Sequence, residues 1–99
     1  MAGKKQDNRK SRQELPLTVA NAHIWKLELM KLIEGDSPAQ LNLADQEDCD
    51  TAGIQLLLAA KVSAHENNKS LTLVNPGIPV REAAKRLGIE LSEEFQVME

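Results

Sequence analysis

The segment Ile54-Gln55-Leu56-Leu57-Leu58-Ala59-Ala60 constrains this chain more than any other, because wound as a helix it presents apolar side chains in nearly every direction. Such a helix needs neighbours on most sides, so it is expected at the buried centre of the fold. Its limits are marked in the chain. Asp50 is a good N-cap, Thr51 is the first helical residue, and Asn67-Asn68 offers a left-handed exit after Glu66. Lys61, Ser63, His65 and Glu66 come only in the later turns, where the helix is expected to emerge toward solvent.

The flanking segments predict strands and two further helices. Leu15-Pro16-Leu17 suits a short extended stretch. From Thr18, a candidate cap, Ala22, Trp25, Leu29, Leu32 and Ile33 recur at helical spacing as far as Glu34, and Gly35 ends the run. Ala39 to Ala44 and Ser70 to Val74 alternate in the manner of strands. Asn75-Pro76-Gly77 turns the chain into a third helix, with Pro79 early, Leu87 last and Gly88 as the C-cap. Leu91, Phe95 and Val97 suffice for either a weak terminal strand or a docking turn. Strands alternating with helices imply crossover connections, so the expected fold is α/β with a mostly parallel sheet.

Residues 1–14 hold Lys4, Lys5, Arg9, Lys10 and Arg12 and almost no large apolar side chain after Met1. They are expected to form a disordered basic tail, solvated rather than a nucleic-acid or membrane arm, leaving 15–99 as the one domain. A chain of 99 residues buries only about 60–65% of its unfolded surface, so a surface that meets a partner is a better expectation than a deep cleft. Trp25 and Phe95 are the only aromatics, which argues against a nucleic-acid stacking platform. No apolar run approaches the roughly 18–20 residues needed to cross a bilayer, and Cys49 is the single cysteine. A cytoplasmic protein without disulfides, cofactor or membrane insertion is the expectation.

Catalytic constellations are sparse. His23 and His65 fall on separate predicted helices without metal-binding spacing, and no phosphate loop, dinucleotide fingerprint or nucleophile elbow is present. The acidic run Asp45 to Asp50 has Asp at its sixth position, where a calcium loop requires glycine. Cys49 lacks a neighbouring base and is expected to be inert. The chain is therefore not expected to be an enzyme.

One segment has a physical argument for function. A hydroxyl at Thr51 would stand beside unsatisfied backbone N–H groups and the positive end of the helix dipole, with small Ala52 and Gly53 keeping it open. A phosphate there meets ready-made donors worth about 0.3–1 kcal/mol when exposed, so modification need not break the structure. It would add about 1.5–2 negative charges beside Asp48 and Asp50 and repel a docked partner. The plainer alternative is that Thr51 and Gly53 only start a helix.

The stretch Leu41-Asn42-Leu43-Ala44, six polar residues, then Thr51-Ala52-Gly53-Ile54-Gln55-Leu56-Leu57-Leu58 resembles the signature of STAS domains, the family that includes bacterial anti-sigma factor antagonists. Asp50-Thr51-Ala52-Gly53 is similar to its Asp-Ser/Thr-x-Gly motif, and Lys69 to Pro76, Val80-Arg81 and Leu87-Gly88-Ile89 are similar to its later strand and helix. The resemblance implies a small mixed, mostly parallel sheet of about four strands, with helices mainly on one side. It places Thr51 at the residue phosphorylated by a serine/threonine kinase that is also the anti-sigma factor, with a phosphatase to reverse the change. It assigns partner binding to Asp50, Thr51, Ala52, Gly53 and Gln55, with Gly53 allowing close approach of the partner.

Two departures stand out. Gln46, Glu47 and Asp48 replace residues that usually pack inward, so this loop is expected to be solvated or to face a basic partner. The short N-terminal part resembles the STAS proteins of chemosensory systems. An alternative implied by the same family is a constitutive subunit of a lipid-transport ATP-binding cassette complex, with the threonine never modified.

Overall fold

A computed structural model describes residues 15–99. The expected disordered tail of residues 1–14 lies outside the described residues. In chain order the elements are a 3-10 turn (Val19–Asn21), α1 (Ala22–Glu34), β1 (Gln40–Asn42), α2 (Thr51–Glu66), β2 (Thr72–Val74), α3 (Ile78–Arg86), α4 (Leu91–Glu94) and β3 (Gln96–Met98).

The helix boundaries follow from local chemistry. Trp25, Leu29 and Ile33, four residues apart, are the buried stripe of α1. Thr18 precedes the 3-10 turn but makes no side-chain cap bond, contrary to its expected role. The entry is held instead by the Asn21 side-chain amide, which donates to the Pro16 carbonyl at 3.0 Å. Helix α2 begins and ends at the residues its capping signals mark. Asp50 accepts from the Gly53 amide, and Asn68 (φ 61°) turns left-handed, with its N–H on the His65 carbonyl and that of Lys69 on the Ala64 carbonyl. Gly88 (φ 73°) closes α3 with the same pair of bonds, to Lys85 and Ala84.

The sheet has three parallel strands in the order β1-β2-β3, joined by crossover helices. Leu41, Leu73 and Val97 lie side by side and face the helices; the alternating positions Gln40, Asn42, Gln96 and Met98 are exposed on the other face. The predicted extended segment at Leu15-Pro16-Leu17 adds a single parallel bridge, Leu17 to Cys49, where a full fourth strand would lie. The C-terminal segment forms both a helical turn and a strand. Lys61 anchors it from α2, donating to the Glu94 carbonyl at 2.9 Å and standing 5.6 Å from the Phe95 ring centre.

One expectation is corrected. Helix α2 lies in the middle of a single helical layer, against α1 and α3, so it is not surrounded. Gly53, Ile54, Leu57, Ala60 and Ala64 are buried beneath it, while Gln55, Ala59 and Val62 face solvent, Val62 at 54% exposure. A one-sided layer leaves even its central helix an outer face, and the apolar run tolerates this because Leu56 and Leu58 pack along the flanks.

Candidate functional site

Three helices open at the end of the sheet where the strands leave it, and α2 is the middle one. Thr51 is its first residue and is half-buried. Ala52 is also half-buried and Gln55 is exposed, whereas Gly53, Ile54 and Leu57 are buried. Residues 51, 52 and 55 therefore form the outward side of the first turn and 53, 54 and 57 the inward side, as a 3.6-residue repeat requires. Among the described residues the Thr51 hydroxyl has no hydrogen bond. Capping is done entirely by its neighbour.

That neighbour, Asp50, joins two elements. Its Oδ1 accepts from the Gly53 amide at 3.0 Å and its Oδ2 from the Val19 amide at 3.0 Å. Its own N–H donates to the Leu17 carbonyl at 3.2 Å. The Val19 amide, above all, holds the Asp50 carboxyl below the usual carboxylate range; the Gly53 amide adds to this and partial burial opposes it.

Gln46 corrects the expectation of a solvated loop. It is 4% exposed; its Oε1 accepts from the Leu17 amide at 2.8 Å and its Nε2 donates to the Leu15 carbonyl at 2.7 Å. A carboxamide has both a donor and an acceptor, so one side chain can serve the backbone of an extended segment as a neighbouring strand would. Glu47 and Asp48 are exposed, as expected, and with Asp45 they have no ion pair among the described residues. Cys49 is buried, and its thiol is pushed up to about 12 by that burial, with Asp50 and Asp48 adding to the effect and Arg86 opposing it.

The room beside Gly53 is occupied by the chain itself. A Cβ built there would meet the Leu17 carbonyl oxygen at 2.2 Å. The glycine thus serves an internal contact with the Leu17 backbone. Trp25 completes the support, donating from its indole N–H to the carbonyls of Leu15 and Pro16, both at 3.2 Å. Sequence reasoning missed the parts played by Gln46, Val19 and Trp25. Only the tryptophan gave a signal, since a buried indole N–H needs an acceptor.

The histidines at 23 and 65 are exposed on α1 and α2, and among the described residues no group of three or more His, Cys, Asp or Glu could hold a metal ion. A groove of about 530 Å³ beside Lys61 and Phe95 and another of about 380 Å³ between α1 and α2 have none of residues 50–55 in their walls. The mouth of α2 presents half-buried Thr51 and Ala52 and exposed Gln55.

These features define a small α/β domain with an accessible hydroxyl at the start of its central helix. Residues 11–97 match the family model of the STAS domain, and the chain belongs to that family. No curated protein matches it. Among solved structures it is similar to the 1.59 Å crystal structure of a candidate anti-sigma factor antagonist from Thermotoga maritima, with a TM-score of 0.69 and 21% identity over 85% of this chain and 72% of that one. Among the described residues no helix is long and apolar enough to cross a membrane.

Proposed function

We propose that this STAS protein is a non-catalytic binding module of the anti-sigma factor antagonist kind, acting in the bacterial cytoplasm, whose docking surface is the mouth of α2 and whose switch is phosphorylation of Thr51. The observation that carries the reading is the division of labour at the helix start. Asp50 does the capping, so the hydroxyl of half-buried Thr51 is left over for other chemistry.

The partner is a serine/threonine kinase of the anti-sigma type. In the transfer, Thr51 Oγ bonds to the terminal phosphorus of a nucleoside triphosphate bound by the kinase, the hydroxyl proton passes to a basic group of the kinase, and the bond to the departing nucleoside diphosphate breaks. The unmodified surface offers Thr51, Ala52 and Gln55 beside the carboxylates of Asp48 and Asp50. Modification adds about 1.5–2 negative charges there and expels the partner; a phosphatase restores binding.

Pull-down from native cells with wild-type, Thr51→Ala and Thr51→Glu forms tests this, together with mass spectrometry of residue 51. The Ala form is expected to keep the partner and the Glu form to lose it. Equal retention by both, with no phosphate on Thr51 in any growth state and stable co-purification of an ATPase, would identify a constitutive transport-complex subunit instead.

A further inference from the structure

Two backbone amides from different elements end on one carboxylate. Gly53 N–H belongs to the first turn of α2 and Val19 N–H to the turn that leads into α1; each lies 3.0 Å from an oxygen of Asp50. The two contacts are not equivalent. The Gly53 bond closes within the helix cap, three residues away, whereas the Val19 bond spans 31 residues of sequence and is exposed.

A phosphate on Thr51 would be tethered one residue from this carboxylate. It would compete for the same first-turn amides and, carrying a like charge, would disfavour the ionised Asp50 nearby. The bond with less support gives way first. We propose that Asp50 is a latch and that phosphorylation of Thr51 opens its Val19 half, loosening the Val19–Asn21 turn from the mouth of α2. This rests on the switch reading and states its regulation.

The surroundings confine the opening to that turn. Leu17 stays held by Gln46 and by its contact with Gly53, and Pro16 by the indole N–H of Trp25. Val19 itself is 68% exposed, so moving it displaces an apolar contact at the rim of the docking surface. The modification then changes the shape offered to a partner as well as its charge.

Amide hydrogen exchange, residue by residue, tests the latch on the full chain carrying phosphothreonine at 51, installed by peptide ligation. The Val19 amide is expected to exchange at least about tenfold faster than in the unmodified chain, with Leu29 in α1 unchanged. In Asp50→Asn the Val19 amide exchanges fast already, and phosphate alters it by less than about twofold. An unchanged Val19 amide on phosphorylation overturns the proposal, and so does an equal acceleration in the Asp50→Asn chain. The comparison of modified with unmodified wild-type chain decides the matter even where Asp50→Asn folds poorly. Since the phosphate is installed chemically, the outcome does not depend on whether cells modify Thr51, and the two readings fail separately.

Discussion

A single carbon added at Gly53 would stand 2.2 Å from the carbonyl oxygen of Leu17 and 2.7 Å from its Cγ. The first turn of α2 and the Leu15–Leu17 segment are thus in direct backbone contact. The Asp50 and Gln46 bonds to that segment form because the two backbones come so close.

Gly53→Ala is therefore expected to destabilise the fold by about 1–3 kcal/mol, toward the upper end because the atom struck is backbone and cannot rotate away. Urea unfolding measures it. A loss under about 0.5 kcal/mol, the range of an ordinary surface change, would show that the contact yields freely.

Gln46→Leu keeps the volume but removes both hydrogen-bonding groups. The buried Leu17 amide then loses its partner, at about 1–3 kcal/mol, while the Leu15 carbonyl keeps the indole N–H of Trp25. Exposed Glu47→Leu, one residue on, should stay within about 0.5 kcal/mol. Thermal unfolding of the two variants should separate them clearly, and similar melting temperatures would refute the inward role of Gln46.

The Asp50 carboxyl is held below its ordinary range chiefly by the Val19 amide, so it binds its proton less readily in the folded chain than in the unfolded one. Its contribution to stability is fully present above the unfolded value of about 3.9 and is lost as pH falls through the lower folded value. The stability difference between wild-type and Asp50→Asn should accordingly be flat from about pH 5 to 8 and shrink below about pH 4. A difference that grows on acidification has the wrong sign for this account.

Much of the layout was legible in the residues. The limits of α2 could be read because Asp50 and Asn68 act through bonds to amides and carbonyls only a few positions away. The strands at Leu41 and Leu73 showed in their alternation, and the motif around Thr51 led to the right family. The missing cap at Thr18, the inward turn of Gln46 and the solvent-facing side of α2 were not legible. Each depends on which distant segment lies alongside.

By itself the sequence determined the alternation of strands and helices, the ends of α2, and the placing of Thr51 at a helix start, since these arise from short-range hydrogen bonding and the periodicity of apolar side chains. Only the tertiary structure decided that Leu17 fills the space at Gly53, that Asp50 reaches back to Val19, and that residues 51, 52 and 55 share the open side. Contacts across some thirty residues are set by how the layers stack, and no local pattern encodes them.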